Sequence, residues 1–171
     1  ARALTEADAF AALDAAASGP VTEGAVGAGS GMSAFGFKGG IGTASRLMRL
    51  DGRDFTLGVL VLANFGNAGD LVLPDGRRPV PPVPTPAAPE RGSVIIVLAT
   101  DLPLESRQLN RVARRCGAGL ARLGAFWGHG SGDIAVAFST GGRIAHHETA
   151  DLLPMTMLNE SRIDLPFRAA A

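Results

Sequence analysis

In the stretch "PERGSVIIVLATD", a proline-rich run stops at Gly92 and an apolar, β-branched run starts at once with Ser93. A Gly-Ser joint is an ordinary polar strand start. It is also the layout an amino-terminal nucleophile needs, with an exposed tether ending at the first residue of a buried strand. If the Gly92–Ser93 bond is cut, Ser93 carries a hydroxyl and a free α-amine on one residue. An α-amine has an unperturbed pKa of about 7.7–8.0, so it can act as general base for its own hydroxyl without help from histidine. Glycine at position 92 would then serve by letting the backbone take a strained, turn-like geometry.

A second polar pair lies in "GHGSGD", residues 128–133, directly ahead of another apolar run. If this stretch is already extended, Ser131 and Asp133 project to one face at the strand mouth. They are either a pair of site residues or part of a plain turn with Asp133 as its cap. Other candidates are weaker. Gly27, Gly29 and Gly31 are spaced G-x-G-x-G, follow no strand and are joined by no G-K-[ST] phosphate loop, so they read as turn glycines. His146 and His147, if on a strand, point to opposite faces and do not converge on one metal. One cysteine and three histidines make no structural zinc set and no intrachain disulfide. No cofactor is expected.

The composition narrows the partners. The net charge is +0 and the basic residues are scattered, which argues against a nucleic-acid surface. No apolar run approaches the ~18 residues of a membrane span, and the start has no basic end followed by an apolar core. A cytoplasmic location and no membrane partner are expected. With 46% hydrophobic and 19% charged residues, the chain has the makings of a folded core. The start at Ala1 and the end on "FRAAA" are what a segment of a longer polypeptide would show.

The elements that must position these residues can be read in turn. Residues 4–18 form a helix capped by Thr5 and ended by Gly19–Pro20. Residues 23–46 hold eight glycines, which implies turns and close backbone approach and excludes a helix. Residues 55–66, 93–100 and 133–140 are strands with apolar residues on both faces, as in a sheet covered on both sides. A short hairpin is expected around Pro74, Asp75 and Gly76. Residues 79–92 carry six of the eleven prolines and should be extended and exposed. In 103–124, Leu109, Val112, Ala113, Cys116, Leu120 and Leu123 fall on one face of a helix that Gly124 closes, with Cys116 in the core. A last helix begins after Asn159. Strands alternating with helices give an α/β layered sandwich.

Together "EGAVGAGSGM", "FKGGIGTASR", "GVLVLANFG", "GSVIIVLATDLPLESRQLNRVARR" and "GSGDIAVAFST" resemble the L-aminopeptidase/D-esterase family, which includes β-peptidyl aminopeptidases and a nylon-oligomer hydrolase. The resemblance runs from about Val21 to Phe167. It implies a four-layer α-β-β-α sandwich like that of amino-terminal-nucleophile hydrolases, of which this chain is a part, since members are roughly twice as long. It implies a precursor that cuts itself at Gly92–Ser93. Residues 1–92 then end one subunit, with 79–92 as its linker, and 93–171 make most of the next, the units assembling into a homo-oligomer. It further implies Ser93 as nucleophile, Asn64 in "LANFG" as oxyanion donor, Ser131 and Asp133 beside the nucleophile and its amine, and Lys38 in "FKGG" in a basic role. The implied substrates are peptides and amino-acid amides or esters. Ornithine acetyltransferases are similar in architecture but cut before threonine, and a catalytically incomplete structural fragment is the other alternative.

Overall fold

The computed structural model describes residues 4–82, 89 and 92–171. Most of the proline-rich linker expected at 79–92 lies outside the described residues. A small hairpin is formed by β1 (Ser33–Ala34) and β2 (Phe37–Lys38). The main sheet follows: β3 (Gly40–Leu50), β4 (Arg53–Asn64), β5 (Ser93–Thr100) and β6 (Ile134–Ser139), in that spatial order. The first three strands run antiparallel, and β6 pairs with β5 in parallel. A parallel pair needs a crossover, and the helix α2 (Ser106–Arg122) supplies it.

Helix α2 begins where the sequence offers a cap. The Glu105 carboxylate accepts from the N–H groups of Arg107 (3.0 Å) and Gln108 (3.1 Å), and the Gln108 side chain accepts from the Glu105 N–H. Its apolar stripe, Val112, Ala113, Cys116 and Leu120, is buried, and Val112, Cys116 and Leu120 share one core with Val94, Ile96 and Leu98 of β5. Burial among these groups pushes the Cys116 thiol pKa up. Past the last turn, Gly124 has φ +99°, and a Cβ there would stand 2.0 Å from the Asp70 carbonyl oxygen, so only glycine fits this exit. Helix α3 (Asp164–Ala170) lies over α2, with the Phe167 ring beneath the guanidinium groups of Arg111 and Arg115.

Among the described residues, one face of the sheet is therefore covered by helices, and the other is open. Val94, Ile96, Leu98 and Thr100 face the helices and are buried, while Ile134, Val136 and Phe138 are 56%, 51% and 46% exposed. The expectation that all three apolar runs are covered on both faces is corrected in this respect. Their apolar pattern on both faces is that of a sheet sandwiched between two layers, and the described residues supply one of them.

Other expectations also change. The strand β3 was hidden inside the glycine-dense stretch, whose glycines sit at its start and whose polar residues Thr43, Ser45 and Arg46 break the apolar run. The first helix, α1 (Glu6–Asp14), stops before Gly19: it buries no residue, so no packing holds a further turn. Its start is as expected, with the Asp8 carboxylate accepting from the Thr5 N–H and hydroxyl. Around Pro74–Gly76 there is a turn, closed by Leu73 N–H to the Arg77 carbonyl (2.9 Å), and it carries no strands. His146 and His147 occupy an exposed turn after β6, ring centroids 4.6 Å apart, so the strand geometry expected for them does not hold.

Candidate active site

Three strands bring their ends together at one end of the sheet. Ser93 opens the inner strand β5. Asn64 closes β4 and is the register partner of Ser93. Residues directly paired across strands share a face, with Cβ atoms about 4.5–5.5 Å apart, so the amide and the hydroxyl are neighbours. On the other side of Ser93, the loop 128–133 leads into β6. Two of the larger cavities, about 360 and 390 Å³, lie instead beside residues 141–157 at the far end of β6.

The Ser93 hydroxyl is half-buried and donates to the carbonyl oxygen of Gly92 at 2.5 Å. The nucleophile expected from the sequence thus touches the bond it would cut. Glycine at position 92 has a steric reason here. A Cβ would lie 2.3 Å from the Asn64 carbonyl oxygen and 2.8 Å from the Phe65 Cα. Gly92 is pressed against the end of β4, and no side chain fits between.

Asn64 is oriented by the β1–β2 hairpin. Its Oδ1 accepts from the Ser33 N–H at 3.2 Å. With the oxygen so engaged, the remaining polar atom of the amide is its NH2 donor. Lys38 is the register partner of Ser33 and is exposed, so it stands one hairpin rung from Asn64. Gly39 follows, and a Cβ there would meet the Ala63 carbonyl oxygen at 2.4 Å. Gly39 of "FKGG" thus lets the hairpin close onto the strand that carries Asn64.

Ser131 and Asp133 are joined to each other: the Ser131 hydroxyl donates to Asp133 Oδ1 at 2.7 Å. The same oxygen accepts from the Val94 N–H at 3.1 Å. The pair is therefore tied to the residue after Ser93. Contact with Ser93 itself comes from a group that the sequence reading missed. The Gly132 N–H reaches the Ser93 Oγ at 3.3 Å and the Gly92 carbonyl oxygen at 3.2 Å. A backbone donor has no side-chain signature; only the register of β5 against β6 reveals it.

A second group missed in the sequence is Trp127. It holds a left-handed backbone (φ +53°), which is costly for a bulky residue, and its indole lies over Gly117 of α2. A Cβ at 117 would stand 2.6 Å from that ring. A glycine on a face otherwise apolar was the available signal. Trp127 anchors the start of the loop that carries Ser131, Gly132 and Asp133. Beside it, Val94, Gly117, Asp133 and Ile134 help to line a pocket of about 190 Å³. Among the described residues, no group of three or more His, Cys, Asp or Glu is placed to hold a metal.

Residues 1–171 match peptidase family S58 over their whole length. The β-peptidyl aminopeptidase BapA of Sphingosinicella microcystinivorans is 42% identical over 175 residues, covering 93% of this chain and 44% of that protein. Among solved structures, the L-aminopeptidase D-Ala-esterase/amidase of Ochrobactrum anthropi, described as a variant of the Ntn hydrolase fold, superposes with a TM-score of 0.80 at 45% identity, covering 97% and 46% of the two chains. A β-aminopeptidase from Burkholderia sp. gives 0.80 at 38% identity, covering 98% and 48%. The chain spans less than half the length of each of these relatives.

Proposed function

The chain belongs to peptidase family S58, and on that footing we propose that it carries the self-processing centre of a serine aminopeptidase. The observation that carries this reading is the 2.5 Å contact between the Ser93 hydroxyl and the carbonyl of the residue before it. In the uncut chain, Ser93 Oγ adds to the Gly92 carbonyl carbon. The C–N bond then breaks, the hydroxyl proton ends on the Ser93 nitrogen, and Gly92 is held as an ester. Water hydrolyses the ester, returning the hydroxyl and leaving a carboxylate on Gly92.

The new α-amine then acts as general base when Ser93 attacks a substrate carbonyl. The Asn64 NH2 stabilises the oxyanion, a contribution of about 2.7–4 kcal/mol for one such donor. Ser131 and Asp133 stand beside Val94 and orient the amine, and the Asp133 carboxylate favours its protonated form. The substrates proposed are peptides and amino-acid amides or esters with a free amino end. The similarity to β-peptidyl aminopeptidases supports β-amino acyl groups among them.

Turnover of alanyl and β-alanyl p-nitroanilides by the processed full-length protein tests the reading. The wild type should release nitroaniline, and Asn64→Ala should lose about 10²–10³ in kcat. An unchanged kcat in Asn64→Ala would remove the oxyanion role.

A further inference from the structure

The Gly132 N–H takes a place that neither Asn64 nor the Ser131–Asp133 pair fills. Ile95 pairs with Ile134 in the parallel ladder, so two residues before that pair 132 lies opposite 93. In a regular parallel ladder, the N–H of 132 bonds to the carbonyl of 92, and the carbonyl of 132 takes the N–H of 94. Here only half of that rung is kept. The Val94 N–H goes to the Asp133 carboxylate instead, at 3.1 Å. The half that survives, Gly132 N–H to Gly92 O at 3.2 Å, falls on the carbonyl of the bond to be cut. The same N–H lies 3.3 Å from Ser93 Oγ, so it spans the nucleophile and the oxygen where charge would develop.

From this geometry we propose that the Gly132 backbone N–H is the oxyanion donor of self-cleavage, a catalytic group separate from Asn64. The proposal rests on the reading that Ser93 attacks Gly92. As the Oγ–C bond forms, the C=O electron pair moves onto the Gly92 oxygen and the Gly132 hydrogen bond shortens against that charge. When the oxyanion collapses, the C–N bond breaks and the Ser93 nitrogen takes the hydroxyl proton. Gly132 neither gives nor takes a proton. The donor is preorganised because the sheet aims it, and no side chain must be ordered at the moment of reaction. Glycine also suits the position sterically, since a Cβ would lie 3.3 Å from Ser93 Oγ.

The test replaces the 131–132 backbone amide of the full-length precursor by an ester, which removes this one N–H and keeps the shape. Self-cleavage is followed by mass, with and without hydroxylamine, which traps an ester already formed. The proposal expects cleavage slowed about 10²–10³-fold, with the melting temperature near wild type and no rescue by hydroxylamine. Wild-type cleavage in the ester variant, with Ser93→Ala uncut, overturns the proposal and leaves the nucleophile standing. So does rescue by hydroxylamine. Cleavage of Ser93→Ala would instead overturn the reading beneath it.

Discussion

Adding one methyl group at position 92 should slow self-cleavage on the order of 10²-fold while sparing the fold. In Gly92→Ala the new Cβ would stand 2.3 Å from the Asn64 carbonyl oxygen. An ordinary contact begins near 3.4 Å, so the backbone at 92 must retreat by about 3.4 − 2.3 = 1.1 Å. The Phe65 Cα, at 2.8 Å, blocks part of that retreat. Both obstacles are backbone, which cannot swing aside as a side chain tip can. The displaced group is the scissile carbonyl itself, which now sits 2.5 Å from the Ser93 hydroxyl. A misplacement of about 1 Å costs on the order of 10²-fold in rate, and overpacking costs about 1–3 kcal/mol of stability. Time-resolved intact-mass analysis of freshly purified full-length protein gives the first quantity, and thermal unfolding of the uncut Ser93→Ala and Ser93→Ala/Gly92→Ala proteins gives the second. If Gly92→Ala cuts itself within about threefold of wild type, the steric account of position 92 is wrong.

Further predictions concern the frame of the site. Gly117→Ala should push the Trp127 indole, 2.6 Å from the added Cβ, off α2 and loosen the loop 128–133; self-cleavage should slow about tenfold or more, with near-ultraviolet circular dichroism or Trp fluorescence reporting the displaced ring. Glu160 is held by Arg107 first, then Gln108 and Arg111, which lower its carboxyl pKa from the usual 4.5 to about 2. The folded state therefore binds this proton less readily than the unfolded chain. The stability it contributes is complete above the ordinary value and fades as pH falls from there toward about 2; acid unfolding of Glu160→Gln should show a weaker dependence in that window, and an unchanged profile would contradict the assignment. Leu98 is fully buried in the core, so Leu98→Ala should cost about 2–5 kcal/mol in urea unfolding.

What could be read from the sequence depended on which atoms carry the signal. Strand β5 and helix α2 were legible because β-branched residues fill the one and an apolar stripe at helical spacing marks the other. Ser93, Asn64, Ser131 and Asp133 were legible as side chains in recognisable motifs, and the structure brings all four to one end of the sheet. The donors that aim them were not legible. The Ser33 N–H that holds Asn64 and the Gly132 N–H beside Gly92 are backbone groups, set by strand register and hairpin closure over distance in the chain. Strand β3 was obscured by glycines that serve close packing at its start, where a Cβ on Gly40 would meet the Gly24 carbonyl oxygen at 2.3 Å. The left-handed Trp127 was missed because no local preference favours that backbone at a bulky residue, and its one signal was Gly117 on the helix that the indole lies over.

The most direct measurement is the intact mass and amino-terminal sequence of the full-length protein and of its Ser93→Ala variant after identical incubation. The wild type should give two fragments, the second beginning at Ser93, and Ser93→Ala a single uncut chain. Cleavage of Ser93→Ala at the same bond and rate would refute Ser93 as the nucleophile.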